Sequence, residues 1–443
     1  PILAAAGSLG RELLGRLPFR LTAAQRRALA EIERDLGAPR PRHRLLEGDV
    51  GSGKTIVAAL AALRAVEAGW QVAFMAPTEI LAEQHQRKLA EWLPGSGVPL
   101  IWLVGAQTAA KRRAALAACA SGAPAVVVGT HALFQEGVTL PRLALVIIDE
   151  QHRFGVAQRL ALRGKSEGAL EPHQLMMSAT PIPRTLAMSY YADLDVSLLD
   201  EMPPGRRPVI TKLASQRRRP EVVERVREVC ASGQQVYWVC PLIEESEKVD
   251  LQNAVATRDA LAEALPELAL GLLHGRLKAD EKAAVMAAFQ SRALHLLVAT
   301  TVVEVGVDVP NATLMVIEHA ERFGLAQLHQ LRGRVGRGGE ASACVLLYDE
   351  PLGPVAKARL KVIFEHHDGF EIARQDLSIR GPGEFLGARQ SGLPLLRFAD
   401  IEADLQLMET ARQVADELLR EHATAAQKHV LRWLGGRQEF FKA

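Results

Sequence analysis

The sequence predicts an α/β protein with two parallel-sheet domains and a C-terminal region that is mostly helical. Short apolar runs recur between residues 44 and 180, and stretches rich in Ala, Leu, Glu and Arg separate several of them. The same alternation resumes after the proline-rich segment EMPPGRRP, which begins at Glu201. Helical composition follows Pro354. Alternating buried strands and helices are typical of parallel sheets that helices cover on both faces.

Composition excludes several classes of protein. The chain has 443 residues, 48% of them hydrophobic, which is enough for several packed cores. The formal charge is only +2, so a polyanion would have to be bound by locally placed basic groups. The cysteines at positions 119, 230, 240 and 344 form no C-x-x-C pair, which argues against a zinc site or a disulfide framework. No apolar run approaches the roughly 20 residues that cross a bilayer, so we expect a cytoplasmic protein without a membrane partner.

Six strands are predicted in the first sheet. They are RLL before Glu47, QVAFMAP from Gln71, PLIWLVG from Pro99, AVVVGT from Ala125, LALVIIDE from Leu143 and QLMMSAT from Gln174. In such folds ligands bind at the carboxyl edge of the sheet. The residues expected at that edge are Lys54, Thr78, Thr130, Asp149 and Thr180.

Five further strands are predicted in the second sheet. They are QVYWVCP from Gln235, LALGLLHG from Leu268, LHLLVATT from Leu294, TLMVIEH from Thr313 and ACVLLY from Ala343. With the proline-rich break as a boundary, we divide the chain into a lead-in (1–17), a first domain (18–203), a second domain (204–353) and a helical C-terminal region (354–443).

The segment GDVGSGKT has the spacing of a phosphate-binding loop. Its glycines let backbone N–H groups turn inward, and the following helix points its positive end at the phosphates. Lys54 is expected to bridge the terminal phosphates of ATP, and the Thr55 hydroxyl is expected to bind Mg²⁺. The predicted nucleotide-binding residues here are Gly48, Gly51, Ser52, Gly53, Lys54 and Thr55.

An acidic pair closes the apolar run LVIIDE. Asp149 is placed to bind Mg²⁺ through water, and Glu150 is placed to polarise the attacking water. Taken singly, the loop could be a chance glycine turn and the pair a solvated strand end. Their occurrence together favours an ATP hydrolase.

An ordered set of further motifs resembles the superfamily 2 helicases. The motifs are DEQH at Asp149, SATP at Ser178, ATTVVEVGVDVP at Ala299 and QLRGRVGR at Gln330. The resemblance implies two RecA-like domains of the P-loop NTPase fold that close on one ATP. It also implies that Arg334 and Arg337 reach the ATP from the second domain, where a guanidinium would stabilise charge developing on the γ-phosphate.

The same resemblance implies roles for several other residues. In FRLTAAQ, Gln25 is the expected adenine contact, although Thr22 would also serve as a helix N-cap there. Gly306 and Asp308 are expected beside the nucleotide. Nucleic-acid contacts are expected at Thr78, Thr130 and Thr300, although a threonine at a strand end is often only a helix cap. Coupling between the two sites is expected to involve Gln151, His152, Ser178, Thr180 and Gln330.

Longer stretches are similar to the RecG family of bacterial DNA translocases. They are DEQHRFGVAQR from Asp149, SATPIPRTLAMSYYADLDVSLLDEMPPGRRPV from Ser178 and DLSIRGPGEFLGARQSG from Asp376, the last of which RecG shares with the transcription-repair coupling factor Mfd. Arg380 and Gln390 match the functional arginine and glutamine of that segment. The resemblance implies a monomeric, nucleoid-associated motor on duplex and branched DNA, including stalled forks and Holliday junctions, in recombination and repair, with single-stranded DNA-binding protein as a further candidate partner. RecG proteins also have an N-terminal OB-like wedge. We find no match to it here and expect either a longer natural chain or a protein that works without it.

Three alternatives stay open on the sequence. An Mfd-type translocase is the nearest one, and Gln151 and the tail RWLGGRQEF favour RecG over it. A scaffold that closes on ATP without hydrolysing it would need neither Glu150 nor Arg337. A polypeptide mover built on the same motor is opposed by the segment from Arg380 to Gln390.

Overall fold

The computed structural model describes residues 3, 7–93, 95, 97–105, 107–135, 137–150, 171–179, 194–203, 207–241, 247–300, 309–380 and 405–434. Within these ranges, no helix is both long and apolar enough to pass through a membrane. All four cysteines are buried free thiols, in agreement with the expected lack of a disulfide framework.

The first sheet has seven parallel strands, in the spatial order β3-β4-β2-β5-β6-β1-β7. They are β1 His43–Gly48, β2 Gln71–Met75, β3 Leu100–Leu103, β4 Ala125–Gly129, β5 Leu143–Ile148, β6 His173–Ser178 and β7 Asp195–Leu199. The six predicted strands are confirmed, and β7 is an additional strand that the sequence did not predict. The strand β1 lies between β6 and β7, and its Leu45 is opposite both Met176 and Val196.

Helices cover this sheet on both faces. They are α1 Ser8–Arg16, α2 Ala23–Leu36, α3 Lys54–Glu67, α4 Glu79–Trp92 and α5 Ala109–Ala120. The helix α3 is the most deeply buried of them, because α1 and α2 pack over it against the sheet. Its run of Ile, Val, Ala and Leu therefore belongs to the main core of the domain.

The second sheet has six parallel strands, in the order β10-β11-β9-β12-β13-β8. They are β8 Ile210–Ser215, β9 Gln235–Val239, β10 Leu270–Leu273, β11 Leu296–Ala299, β12 Ala312–Ile317 and β13 Ala343–Tyr348. The strand β8 was not predicted. Helices α6 Arg219–Ala231, α7 Glu247–Ala264, α8 Ala279–Gln290 and α9 Leu325–Arg332 belong to this domain. The two sheets and the helices on them confirm the predicted α/β architecture.

The C-terminal region is helical, as expected. Its described helices are α10 Pro354–Glu365, α11 Gly369–Arg380, α12 Leu405–Glu421 and α13 Ala423–Leu434. The first two pack against α9 and against each other, whereas α12 pairs with α13. The chain passes from the first sheet to the second between Leu199 and Ile210. The exact domain limits stay predictions.

Parallel pairing brings the carboxyl ends of β1, β2, β4 and β5 to one edge of the first sheet. Lys54, Thr78, Thr130 and Asp149 follow these strands, as the sequence predicts. Thr180 lies outside the described residues.

Candidate nucleotide site at the domain cleft

The phosphate loop connects β1 to α3 and has no room for side chains at two of its glycines. Gly53 has φ 88°, in the left-handed region, and a Cβ there would lie 2.2 Å from Nε2 of Gln25. A Cβ on Gly48 would lie 2.5 Å from the Ser52 hydroxyl oxygen. Both positions therefore require glycine. The helix α3 begins at Lys54, so its N-terminus faces the loop.

Lys54 folds back onto the loop that precedes it. Its Nζ donates to the backbone oxygens of Gly48 at 2.7 Å and of Asp49 at 3.0 Å. Burial lowers the pKa of Lys54, the charge of Arg337 acts in the same direction, and neighbouring carboxylates oppose the shift. The two hydrogen bonds join a buried ammonium to neutral carbonyls, so an anion bound beside it would stabilise its charge.

Gln25 packs beneath the loop and is buried. Its Nε2 donates to the Ser52 backbone oxygen at 2.8 Å, and its Oε1 accepts from the Thr22 backbone N–H at 2.9 Å. The Thr22 hydroxyl accepts in return from the Gln25 N–H, which completes a capping box at the start of α2. The N-cap expected at Thr22 is confirmed. Gln25 also holds the loop, and its contact with adenine stays a prediction.

The acidic pair lies at the end of β5, beside the loop. His85 of α4 lies with its Nε2 2.7 Å from Oδ2 of Asp149, and the other carboxylate oxygen accepts from the Glu150 N–H at 3.0 Å. Burial raises the pKa of Asp149, but the hydrogen bond and charge of His85 outweigh burial, so the pKa is below its ordinary value. Glu150 has φ 52°, a strained conformation for a residue with a side chain.

Two arginines of the second domain lie near this pair. Burial and the neighbouring Arg337 charge lower the pKa of Arg334 to about 10, while Glu150 and Asp149 oppose the shift. Arg337 donates through Nε to the Gly333 backbone oxygen at 3.2 Å and acts electrostatically on Lys54. The phosphate loop, the acidic pair and both arginines are therefore brought together, as the family resemblance implies.

The domains also touch directly at the loop. A Cβ on Gly333, just after α9, would lie 2.8 Å from Cβ of Val50. The His329 ring of α9 lies with its Nε2 2.6 Å from Oδ1 of Asp49. Ile80 of α4 packs against the core of the second domain. The cleft is closed around the candidate nucleotide site.

Three families match this chain over most of its length. Residues 22–189 match the DEAD/DEAH box helicase family, and residues 221–339 match the helicase conserved C-terminal domain. Residues 366–434 match the C-terminal part of domain 3 of the ATP-dependent DNA helicase RecG. The RecG protein of Acidithiobacillus ferridurans is 56% identical over 440 residues, 99% of this chain, and the one from Escherichia coli K12 is 54% identical over 100% of it. This chain belongs to the RecG family.

A comparison with solved structures also supports membership of the RecG family. A structure of RecG bound to a three-way DNA junction matches with a TM-score of 0.76 at 46% identity, and the match covers 92% of this chain and 53% of the RecG chain. Yeast Dbp5 bound to RNA matches with a TM-score of 0.59 at 16% identity, which shows a shared fold only. The chain spans 64% of the length of the Acidithiobacillus and Escherichia relatives.

Of the three threonines expected to contact nucleic acid in a RecG protein, one caps a helix and two are buried. Thr78 caps α4, because its hydroxyl accepts from the Leu81 N–H at 3.4 Å. Thr130 is 1% exposed and Thr300 2% exposed, and neither hydroxyl has a hydrogen-bond partner among the described residues. These two hydroxyls would reach a DNA strand only if neighbouring segments moved.

The coupling residues expected for RecG are described only in part. Ser178 ends β6 and Gln330 lies on α9, and both are buried. Arg380 is the last residue of α11, and the position of its side chain is not described. The expected site residues that lie outside the described ranges are Gln151, His152, Thr180, Gly306, Asp308 and Gln390.

Three residues of the site were not predicted from the sequence. They are His85, His329 and Arg332, and each holds another site residue or a helix end. Arg332 lies inside the motif QLRGRVGR and His329 directly precedes it, but the resemblance gave neither residue a role, and His85 lies in no motif. An unpaired histidine in an otherwise polar helix segment, as in LAEQHQRK, was the only local signal for His85.

Proposed function

We propose that this chain is an ATP-driven motor that tracks duplex DNA and acts on branched DNA in recombination and repair. The observation that carries the proposal is the arrangement across the cleft: Lys54 and the acidic pair of one domain face two arginines of the other. Family membership and the junction-bound RecG relative support DNA as the track.

The nucleotide chemistry follows from the donor groups. Asp149, whose pKa is lowered, supplies an ionised carboxylate, and Thr55 in the first turn of α3 supplies a hydroxyl; such oxygen ligands suit Mg²⁺. Bound Mg²⁺ would neutralise charge on the phosphates. Lys54 would exchange its bonds to loop carbonyls for phosphate oxygens, and Glu150 would orient and polarise the attacking water. Gln25, Gly306 and Asp308 are proposed contacts to the nucleoside.

Arg334 and Arg337 make hydrolysis depend on domain closure. A guanidinium stabilises the charge that develops on the γ-phosphoryl group during transfer. Because both arginines are on the second domain, hydrolysis would be fast only when the cleft is closed. Cycles of closure and opening can then drive movement along DNA.

The DNA side of the proposal rests on the family resemblance. Thr78, Thr130 and Thr300 are proposed phosphate contacts, and the five coupling residues would link them to the ATP. Arg380 and Gln390 are proposed to act in the segment that grips duplex DNA. A monomer in the cytoplasm, near the nucleoid, with single-stranded DNA-binding protein as a further partner, completes the proposal.

The test is ATP turnover on matched linear, forked and four-way DNA substrates, with unwinding measured in parallel. We expect strong stimulation by DNA, and a fall in DNA affinity with added salt, because phosphate contacts release counterions. Glu150→Gln protein on the same substrates is the control for contaminating ATPases.

Turnover that is equal with and without DNA would contradict the motor. Stimulation by linear and branched DNA to the same extent, without unwinding, would instead favour a simple duplex translocase of the Mfd type.

A further inference from the structure

The contact between His329 and Asp49 joins the two domains at the phosphate loop itself. His329 lies on α9, Asp49 is the second residue of the loop, and 280 residues separate them. The distance from Nε2 to Oδ1 is 2.6 Å, and the His329 side chain is only 5% exposed. The hydrogen bond is therefore well shielded from water.

Arg332 fixes which ring nitrogen of His329 carries the proton. Its NH2 group lies 3.0 Å from Nδ1 of His329. A guanidinium can only donate, so Nδ1 accepts and Nε2 carries the hydrogen that is donated to Asp49. The ring is thereby oriented from both sides.

Arg332 is itself fixed at the end of α10. It is buried and donates to the backbone oxygens of Ile363 at 2.9 Å, His366 at 2.8 Å and His367 at 3.1 Å. Carbonyl groups at a helix C-terminus carry partial negative charge and suit a cation. The orientation of His329 is therefore set by Arg332 and, through it, by the end of α10 in the C-terminal region.

Asp49 connects this contact to the catalytic lysine. Burial favours its neutral form, but the hydrogen bond from His329, the Val50 N–H and the Lys54 charge outweigh burial and lower the pKa of Asp49. The Asp49 backbone oxygen accepts from Nζ of Lys54 at 3.0 Å and from the Ser52 N–H at 3.1 Å. One residue thus contacts the second domain by its side chain and Lys54 by its backbone.

We propose that His329 is a positioning residue for ATP hydrolysis: it docks α9 onto Asp49 and so sets where Arg334 and Arg337 stand relative to the phosphate loop. Arg337 bonds to the backbone of Gly333, at the C-terminal end of α9. Gly333 itself packs against Val50 of the loop. The placement of Arg337 therefore follows that of α9. This inference rests on the proposed function, because it concerns the same hydrolysis.

The test compares His329→Ala and His329→Gln in the full chain, with DNA present. The alanine variant removes the donor to Asp49, whereas the glutamine amide can still donate from a position close to Nε2. We expect His329→Ala to lower kcat by about 10- to 100-fold, as is typical of a misplaced catalytic group. Binding of a fluorescent ATP analogue should change by no more than about threefold. His329→Gln should recover most of kcat.

A double-mutant cycle with Asp49→Ala, which removes the acceptor, locates the effect in this pair. If the contact acts as proposed, the double variant His329→Ala/Asp49→Ala is no slower than the slower single variant. His422, which is exposed between α12 and α13, provides the control: His422→Ala should match the wild type. Thermal unfolding of each variant reports on folding.

Several results would overturn the inference. They are a His329→Ala protein with wild-type kcat, a fall in kcat that His329→Gln does not reverse, and losses that simply add in the double variant. If His329→Ala fails to fold, the comparison of His329→Gln with Asp49→Ala decides, because only Asp49→Ala removes the hydrogen bond and should be slow. A wild-type chain without DNA-stimulated ATPase would contradict the proposed function instead.

Discussion

Two histidines hold the carboxylates of the candidate site. His85 bonds Asp149 of the acidic pair, and His329 bonds Asp49 of the phosphate loop. His85 belongs to α4 of the first domain, and His329 belongs to α9 of the second. Each carboxylate is thus oriented by a histidine, and groups that are held in place need less reorganisation during a reaction.

The substitution Glu150→Gln tests whether Glu150 polarises the attacking water. Glutamine keeps the size of the side chain but accepts no proton, so we expect turnover to fall by about 10²- to 10⁴-fold while ATP still binds. The measurement is steady-state ATPase together with equilibrium binding of a fluorescent ATP analogue. Glu171→Gln, at an exposed position of the same domain, is the control. Normal turnover in Glu150→Gln would remove this residue from the mechanism.

Single residues differ in how far the sequence could predict them. Lys54, Asp149 and Glu150 lie within local motifs whose spacing reflects the chemistry of nucleotide binding. The structure brings these residues together as expected. His85 and Asp149 are 64 residues apart, and His329 and Asp49 are 280 apart. Such pairs depend on tertiary packing, which no local pattern reports.

Among the elements, the phosphate loop depends on glycine for two separate reasons. Gly53 needs a positive φ, and it also leaves space for Gln25, which fixes the loop from below. Gly233 has φ 81° but nothing within 4 Å of its virtual Cβ, so it shares only the first requirement. Alanine substitutions at Gly53 and Gly233 therefore separate the cost of backbone strain from the cost of steric crowding.

We therefore expect Gly53→Ala to affect nucleotide binding and Gly233→Ala to leave it intact. Gly233→Ala should cost about 1 kcal/mol of unfolding free energy from backbone strain alone. Gly53→Ala should cost more and weaken ATP binding by at least about tenfold, because Gln25 must move and the loop with it. Denaturant unfolding and ATP-analogue binding are the measurements. Equal ATP affinity in Gly53→Ala and wild-type protein would show that the loop does not need this geometry.

The strands show where sequence patterns are sufficient. Central strands such as β5 and β9 are buried along their whole length and read as continuous apolar runs. The two unpredicted strands, β7 and β8, lie at sheet edges and are only partly buried, so DVSLL and ITKLAS carry no such run. The strands β3 and β10 also lie at sheet edges but were predicted, because LIWL and LGLL are apolar; the lack of an apolar run therefore explains why β7 and β8 were missed.

In the whole molecule, two sheets face each other across one candidate ATP site. The first contributes the loop and acidic pair, the second contributes α9 and its arginines, and Gly333 packs directly on Val50. The two-domain plan was predictable, because it repeats one local alternation twice. The closeness of the two halves was expected only from the family resemblance, since it depends on contacts between distant segments.

The central claim is that hydrolysis requires a guanidinium from the second domain, and single-turnover ATP hydrolysis by Arg337→Ala protein tests it most directly. Arg217→Ala, at an exposed position of the same domain, is the matched control. We expect Arg337→Ala to bind ATP within a few-fold of wild type but to hydrolyse it about 10³-fold more slowly, the effect usual for such an arginine. Hydrolysis by Arg337→Ala at the wild-type rate would contradict the claim.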